Sequence, residues 1–488
     1  MTVAGDTATI VGDRTAKREI SISVESGGLA VATSMRPLVV PSRHRLSPTG
    51  VSHLLHHAHV PLPLTVFAGV STLGMGDLAR VHRAHDGSIR IEFDHAYPFL
   101  EAASRGDSHP DAAHLLDLLT ASTARAIDPT TDAVLMLSAG KDSTALAIAV
   151  AHAGLAARVR CVTYSNGPDD PEPAVARATA ERLGLRHEIV EFPTEGKRVV
   201  ELLGRFFTHS YRPSADLAQI PYAVAVARAA ELGDVLLDGG GNDSYMGFLP
   251  SKADRTKQRW RIRGTLPAEL VSRIVGVGSP INYLARSRAA ATLPARSFRP
   301  TDTARFYPAA VDTRPFWQTE SRYTADRSLP DLLNSIMVRH TDPQASMLKM
   351  RQAAAAFGMT AAMPFCDDEL AEYVFHLPRT ARYDAATGRT KILLRELLAG
   401  YGGYDADAVG KHPFRFDGAA FLERHRRFVV DEIVSCPAWD RLAVSGLVER
   451  WFDAMNGPRP FTYHALLILF QVSAWINHSE ASPHRRGP

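Results

Sequence analysis

The most informative stretch of the chain is Leu137-Ser138-Ala139-Gly140-Lys141-Asp142-Ser143-Thr144. It follows a compact apolar run at residues 133–137 and precedes an apolar segment at residues 144–153 that has the length of a helix. Small residues between a strand and a helix let the backbone approach a phosphate group, and the helix N-terminus attracts the anion. The Walker A spacing GxxxxGKS/T is absent, so the stretch predicts a phosphate-binding loop of another kind. An ordinary glycine-containing turn is the alternative.

Three side chains of this turn suit a nucleotide site. The hydroxyls of Ser138 and Ser143 can donate hydrogen bonds to phosphate oxygens. The carboxylate of Asp142 can hold Mg²⁺, a hard cation that also binds phosphate oxygens.

A second turn has the same character. The apolar run at residues 235–237 leads into Asp238-Gly239-Gly240-Gly241-Asn242-Asp243, which again places an acid after small residues. In a doubly wound sheet the carboxyl ends of the strands meet at one crevice, so we expect Asp142 and Asp243 to hold one metal ion from two strands. The alternative is a flexible loop with a solvated acid.

The pattern around both turns indicates an α/β fold with a doubly wound parallel sheet. Apolar runs without polar alternation are typical of a parallel sheet that is covered on both faces. Further strands are predicted at residues 159–164 and 187–192, and helices at 112–127, 174–183 and 222–232. From residue 329 onward the sequence is mainly helical, and residues 465–476 predict a buried helix.

The segment before residue 109 predicts a short α+β region. Strands are predicted at residues 20–24, 29–33 and 89–93, and a helix over 47–55. We expect the first 20 residues or so, which are polar, to be frayed. The last residues, 481–488, predict a disordered tail.

Composition excludes several classes of protein. The 488 residues are 45% hydrophobic and 22% charged, which excludes a disordered or fibrous chain. The net charge of +3 does not favour nucleic acid as a partner. Three scattered cysteines without CxxC spacing argue against disulfides and thiolate zinc. With no membrane span and no signal-peptide core, the sequence predicts a cytoplasmic protein with no membrane partner.

The two turns and three later segments of the sequence resemble motifs of a known family. The first turn resembles the SGGxDS loop of the PP-loop ATP pyrophosphatases, whose nucleotide-binding fold is HUP-like. The second turn resembles the SGxGxD loop of the asparagine-synthetase-like branch, with Asp238 in place of the serine. Three later segments resemble motifs of that branch and occur in the same order. Residues 364–367 resemble its PFLD motif, residues 390–395 its TKxxLR segment, and residues 409–411 its RxK motif, with Val409 in place of the arginine.

The resemblance implies an ATP-dependent reaction with Mg²⁺. A substrate carboxylate attacks the α-phosphorus of ATP, giving an acyl-adenylate and pyrophosphate, and an amine then attacks the acyl carbon. Lys391 and Lys411 match the two catalytic lysines of β-lactam synthetases, where one holds pyrophosphate and the other stabilises developing negative charge. Besides residues 137–144, the implied nucleotide contacts are Tyr164, Asp238 and Gly239. A solvated surface charge is the alternative for each lysine.

The amine side departs from the family. No cysteine follows Met1, and the segment before the first loop is shorter than a glutaminase domain. We therefore expect residues 1–108 to be a truncated, degenerate glutaminase-like domain and residues 109–480 to be the synthetase domain. The second loop has Gly240 where relatives carry Glu or Tyr, and Thr360 stands in place of a Glu. Candidate replacement bases are Tyr245, Asp367 and Asp368.

Two other features are weighed against simpler interpretations. A histidine cluster at residues 53–59 could bind a metal ion, but a partly exposed helix end is the simpler interpretation. The basic run at residues 255–263 could dock an acidic carrier protein, a leader peptide or RNA, although a solvated helix face is favoured.

Three functions follow from these observations. The first is an ATP-dependent, AMP-forming amide ligase or cyclase that acts on small-molecule or peptide carboxylates and amines in specialised metabolism, in the manner of β-lactam synthetases or lasso-peptide cyclases. The second is an ammonia-dependent, asparagine synthetase-like amidation. The third is a non-catalytic scaffold, motivated by the changes at Gly240 and Thr360. A homodimer is expected by analogy only.

Overall fold

A computed structural model describes twelve parts of the chain, namely residues 2–4, 6–25, 28–39, 44–96, 106–193, 195–260, 286–293, 298, 300–410, 416–440, 446–455 and 461–478. Lys411, the end of the basic run at residues 261–263 and the tail at 481–488 lie outside the described residues. Among the described residues no helix is long and apolar enough to cross a membrane.

The central feature is a parallel sheet of five strands. In chain order these are β8 (Ala133–Met136), β9 (Val159–Ser165), β10 (Arg186–Glu191), β11 (Val235–Leu237) and β12 (Thr360–Ala362). Their order across the sheet is β10-β9-β8-β11-β12, and all four pairings are parallel. The order reverses between β8 and β11, which makes that point the topological switch of a doubly wound sheet. The α/β prediction is therefore confirmed.

Helices cover both faces of this sheet. The connections from β8 through β9 to β10 use α3 (Lys141–His152) and α4 (Glu172–Arg182), while the return from β10 to β11 uses α5 (Gly196–His209) and α6 (Gln219–Ala229). Because parallel crossovers are right-handed, the two pairs lie on opposite faces. The strands β8 and β11 are almost fully buried, as their apolar runs predict.

The remaining helices lie mainly in the C-terminal half. They are α2 (Ala112–Ala126), α7 (Asn242–Met246), α8 (Lys252–Trp260), α9 (Pro300–Phe306), α10 (Arg314–Tyr323), α11 (Leu329–Ile336), α12 (Ser346–Ala356), α13 (Asp368–Phe375), α14 (Arg379–Arg382), α15 (Ile392–Gly402), α16 (Ala406–Val409), α17 (Gly418–Arg424), α18 (Arg426–Val434), α19 (Leu447–Met455) and α20 (Phe461–His478). A π-helical turn, Met337–Thr341, follows α11, and a short antiparallel pair, β13 (Tyr383–Asp384) and β14 (Arg389–Thr390), precedes α15. The predicted helix at residues 465–476 is confirmed, since α20 is buried along its apolar length.

The N-terminal region contains two antiparallel sheets. One has the order β1-β2-β6-β7, with β1 (Thr2–Ala4), β2 (Thr7–Val11), β6 (Asp77–Arg83) and β7 (Ile89–His95), and the other has the order β4-β3-β5, with β3 (Ile20–Glu25), β4 (Gly28–Ala32) and β5 (Val70–Leu73). Ile10, Ile22 and Val81 pack in a small core between them. The prediction that the first 20 residues are frayed is wrong, because β2 pairs along its whole length with β6.

The histidine cluster is buried rather than partly exposed, so that prediction is also wrong. It lies on and after α1 (Pro48–His57), a helix capped by Ser47, and its four side chains are at most 8% exposed. Trp317 of α10 packs against His53, His57 and His59. No group of three or more metal-ligating side chains that could hold an ion occurs among the described residues.

A buried ionic network connects the N-terminal sheet to the helical part. Arg339, in the π-helical turn, donates to Asp77 of β6 at 3.0 Å and to Glu320 of α10 at 2.8 Å. His95 of β7 bonds Asp77 at 2.7 Å. Residues of α1 also belong to the same apolar core as the parallel sheet. The domain boundary predicted at residue 108 stays a prediction.

Candidate active site

The first loop is preorganised by its own serines. It joins β8 to α3, and Gly140 in an extended conformation forms the N-cap of that helix. The Ser143 hydroxyl accepts a hydrogen bond from Ser138 N at 3.0 Å and lies 2.8 Å from the Ser138 hydroxyl. The Ser138 hydroxyl in turn accepts from Gly140 N at 3.0 Å. The two serines that the sequence predicts as phosphate donors therefore stabilise the conformation of the loop. The N-terminus of α3, a helix of 12 residues, faces the crevice.

Two residues that sequence reasoning missed hold the same loop from outside. Glu172, at the start of α4, accepts a hydrogen bond from Ala139 N at 3.2 Å. Tyr404, which follows α15, donates to the Ala139 carbonyl at 2.5 Å. Both side chains are buried. Neither could be found from the sequence, because they lie 33 and 265 residues from Ala139 without any local motif.

The second loop lies against the first. A Cβ atom added to Gly239 would lie 2.9 Å from the Cβ of Asp142 and 3.3 Å from the backbone N of Ser143. Only glycine allows this approach, which explains the small residue after Asp238. Gly241 has φ +92°, and a Cβ there would lie 2.4 Å from the Cys366 sulfur. The PFLD-like segment, a turn at Pro364–Cys366, therefore supports the second loop from behind.

Asp142, Asp243 and Lys391 meet between the two loops. The Lys391 Nζ lies 2.5 Å from Asp142 Oδ2 and 2.7 Å from Asp243 Oδ1. Asn242 donates to the other oxygen of Asp142 at 2.5 Å. The sequence predicts that the two aspartates, which follow neighbouring strands, lie close together. In the structure both contact the same lysine.

The setting of Lys391 is unusual. It is the residue before α15, it has φ +60°, and only 5% of it is exposed. A left-handed conformation at a residue other than glycine stores strain, and such positions cluster at functional sites. Burial lowers the pKa of Lys391, but the two carboxylates outweigh burial, so its pKa lies above the usual value. Burial raises the pKa of Asp142, an effect that Lys391 opposes.

The donor set fits Mg²⁺. Mg²⁺ is bound in proteins by one or two carboxylates that share it with substrate phosphates, and Asp142 and Asp243 provide such a pair. The Asn242 carbonyl oxygen is buried and has no hydrogen-bond partner among the described residues, so one further oxygen ligand is available nearby. These three side chains are the ones that would hold the ion.

The other predicted nucleotide residues line the same edge of the sheet. Leu137 and Thr144 are buried at the two ends of the first loop, and Tyr164 is buried near the end of β9. Lys141 is half-buried, and burial followed by the charges of Arg395 and Lys391 lowers its pKa. Asp238 is half-buried at the end of β11.

Asp238 is held by a residue that the sequence did not indicate. The Tyr222 hydroxyl, from α6, donates to Asp238 Oδ2 at 2.6 Å, and Gly240 N donates to Oδ1 at 2.8 Å. Burial and then the Asp238 carboxylate raise the pKa of Tyr222. The phenol therefore stays protonated and positions the carboxylate at the crevice.

The three candidate bases have structural roles in this geometry. Tyr245 is fully buried and donates to the carbonyl of Thr15 at 2.5 Å, and burial raises its pKa. Asp367 caps α13 and pairs with Arg125 at 2.9 Å. Asp368 is an exposed residue in the first turn of α13. Lys411 lies outside the described residues, so its role stays a prediction.

The fold is of the doubly wound α/β class, and the two glycine-bearing loops meet at its topological switch. A family model described as asparagine synthase matches residues 114–435, and the chain belongs to that family. The family is one of ATP-dependent ligases and amidotransferases, so the chemistry at family level is ATP-dependent carbon–nitrogen bond formation. No curated protein matches the chain significantly.

Proposed function

We propose that the protein is an AMP-forming amide ligase or cyclase, which adenylates a substrate carboxylate and couples it to an amine. The observation that carries this proposal is the meeting of Asp142, Asp243 and Lys391 between two glycine-bearing loops at the switch point. A nucleoside triphosphate bound there would place its phosphates against the N-terminus of α3 and the buried ammonium of Lys391. That arrangement stabilises the charge of a departing pyrophosphate.

The reaction has two steps. The substrate carboxylate attacks the α-phosphorus of ATP, the bond to the β-phosphate oxygen breaks, and pyrophosphate leaves. The amine then attacks the acyl carbon, loses a proton, and AMP leaves with the bonding electrons. A magnesium ion bound by Asp142 and Asp243 would supply positive charge to the phosphate oxygens. Lys391 would hold the pyrophosphate, and Lys411 would stabilise the oxyanion.

Asp142 and Asp243 have a different partner before the nucleotide arrives. Lys391 forms an ion pair with both carboxylates, since its Nζ lies within 2.7 Å of an oxygen of each. ATP with its metal would exchange this internal ion pair for contacts with the phosphates. The ammonium is thereby kept in place without an unpaired buried charge in the free enzyme.

The pathway and the partners belong to the same proposal. We place the enzyme in specialised metabolite or modified peptide biosynthesis, because the residues that distinguish asparagine synthetases and β-lactam synthetases are replaced at Gly240 and Thr360. An acidic carrier protein or a leader peptide and a second copy of the chain are the proposed macromolecular partners.

The test is pyrophosphate release from ATP and Mg²⁺ over a panel of amino acids, β-amino acids and short peptides, with hydroxylamine added to trap the adenylate as a hydroxamate. One acid should give both products in the wild type, and Lys391→Met should lower the rate at least a hundredfold. Lys197→Met, which changes an exposed lysine of α5, is the matched control and should leave the rate unchanged.

Two outcomes would contradict the proposal. Asparagine formation from aspartate and ammonia would favour asparagine synthetase activity instead. Absence of Mg·ATP binding by calorimetry would favour the scaffold.

A further inference from the structure

One carboxylate of the second loop takes no part in the ion pair at Lys391. Asp142 and Asp243 both contact that ammonium, whereas Asp238 is held by two uncharged donors. Asp238 follows β11 directly and is only half-buried. An acid fixed at the crevice, without a cation partner among the described residues, is therefore available to a ligand.

The two hydrogen bonds fix the Asp238 carboxylate without using all of its acceptor sites. Tyr222, a buried phenol of α6, donates to Oδ2 at 2.6 Å, and Gly240 N donates to Oδ1 at 2.8 Å. An ionised carboxylate has about four acceptor sites on its two oxygens, so each oxygen of Asp238 keeps one. The group is held in one orientation and can still accept a hydrogen bond or a proton from a ligand.

The carboxylate also takes up space that a side chain at position 240 would need. A Cβ atom added to Gly240 would lie 3.2 Å from Asp238 Oδ1 and 3.6 Å from the sulfur of Met363. A larger residue at 240 would therefore displace the carboxylate. The sequence shows the same exchange, since relatives carry Glu or Tyr where this chain has Gly240, and serine where it has Asp238. The polar group that relatives carry at position 240 is here carried at position 238.

Asp238 lies beside the place where the two loops touch. Its neighbour Gly239 approaches Asp142 so closely that an added Cβ would lie 2.9 Å from the Asp142 Cβ. The proposed function places the phosphates in this region, so the acyl group on the α-phosphorus would lie within reach of the second loop. A carboxylate without a metal or cation repels phosphate oxygens, and Asp238 is therefore better suited to an N–H group than to the nucleotide contact that the sequence implies.

Other titratable groups beside the second loop are bonded within the protein. Tyr245 is buried and donates to the carbonyl of Thr15, and Asp342 is buried and accepts a hydrogen bond from Ser244. Among the described groups around this loop, Asp238 therefore combines a fixed position with free acceptor sites.

We propose that Asp238 is the general base of the amide-forming step. The amine nitrogen forms a bond to the acyl carbon, Asp238 takes the proton that this nitrogen releases, and AMP leaves with the electron pair of the broken C–O bond. The proton then passes to solvent. Tyr222 is a positioning residue that directs the carboxylate. The inference rests on the proposed function and names the base that its second step needs.

The test compares two small nucleophiles that differ in basicity. Hydroxylamine is mostly unprotonated at pH 7 and traps the adenylate without help from a base, whereas methylamine is strongly basic and must release a proton as the amide forms. The acid that gives a hydroxamate in the panel is incubated with ATP, Mg²⁺ and either nucleophile, and mass spectrometry measures both products. The wild type should make the methylamide. Asp238→Asn should lower the ratio of methylamide to hydroxamate roughly a hundredfold, which is a usual contribution of a general base.

Moving the carboxylate distinguishes a catalytic role from a structural one. Asp238→Ser should lose methylamide formation as Asp238→Asn does, and the double variant that adds Gly240→Glu should regain it roughly tenfold or more, because a carboxylate returns to the same space. A purely structural aspartate would not be replaced by an acid two positions away. Asp117→Asn, at an exposed acid of α2, is the matched control and should keep the wild-type ratio.

The outcomes separate this inference from the proposed function. If the wild type makes no hydroxamate with any acid, the proposed function fails. If hydroxamate forms, the inference is overturned when the wild type makes no methylamide, when Asp238→Asn keeps the wild-type ratio, or when the folded double variant regains no methylamide. It is also overturned if Asp238→Asn lowers both products equally and raises the KM for ATP, because Asp238 is then a nucleotide contact.

Discussion

Replacement of Lys391 by methionine tests the electrostatics of the site independently of catalysis. Methionine keeps most of the volume of the buried side chain and removes the only charge within 2.7 Å of both carboxylates that the described residues provide. Asp142 and Asp243 would then face each other with their nearest oxygens at most about 5 Å apart. At an effective dielectric constant of about 20, two unit charges at that distance repel by roughly 3 kcal/mol.

This repulsion converts into a measurable shift in the unfolding temperature. At about 2.1 cal/mol/K of unfolding entropy per residue, a chain of this length loses about 1 °C per kcal/mol, so we expect Tm to fall by about 3 °C. Mg²⁺ should restore most of the loss, because the two carboxylates become a cation site once the ammonium is gone. In the wild type the same Mg²⁺ should change Tm by less than about 1 °C.

Differential scanning calorimetry at pH 8, first with EDTA and then with an excess of MgCl₂, measures both effects. Lys197→Met, which changes an exposed lysine of α5, is the control and should leave Tm unchanged. The reasoning is refuted if the Lys391→Met protein melts within about 1 °C of the wild type, or if Mg²⁺ raises the Tm of both proteins equally.

Three further predictions concern the surroundings of the site. Gly239→Ala should lower both the rate of pyrophosphate release, at least tenfold, and the Tm, because its Cβ would lie 2.9 Å from the Cβ of Asp142, while Gly204→Ala, which has open space, should leave the rate as it is. Asp342→Asn should stabilise the protein by roughly 3 kcal/mol at pH 8 and by little at pH 4, as measured in thermal scans. The reason is that burial raises the pKa of Asp342 to about 6, so the folded protein loses stability as the pH rises toward that value and the carboxyl group ionises. Tyr404→Phe should raise the KM for ATP several-fold with little loss of stability, measured by initial rates, since the first loop loses one anchor.

The sign of the Asp342 effect follows from linkage. An aspartate has a pKa of about 3.9 in the unfolded chain, so a folded-state pKa near 6 means that folding favours the protonated form. The contribution to stability is full below pH 4, and it is lost between about pH 4 and 6. A larger stabilisation by Asp342→Asn at pH 4 than at pH 8 would contradict this assignment.

The sequence alone determined the parts of the protein that local chemistry encodes. The first loop needs small residues and a following helix, and both are readable within eight positions, as is the matching turn at residues 238–243. Apolar runs without alternation indicated the parallel sheet, because such strands are buried on both faces. The convergence of Asp142 and Asp243 also followed, since parallel strands end at one edge.

Short or weakly patterned elements could not be predicted in the same way. β2 has one fully buried side chain, Ile10, and is stabilised by pairing with β6, which is about seventy residues away. β12 has only three residues and begins with the exposed Thr360. For such strands the stabilising hydrogen bonds come from a distant partner, and the local pattern does not record them.

Only the tertiary structure decided which distant side chains meet. Lys391 reaches Asp142 across 249 residues, in a left-handed backbone conformation that no residue-type preference predicts. The histidines of α1 look solvated in sequence, yet Trp317 and α10 cover them. The physical reason is the same in each case: periodicity specifies which face of an element is apolar, but the packing of whole elements decides what covers that face and which charges are thereby brought together.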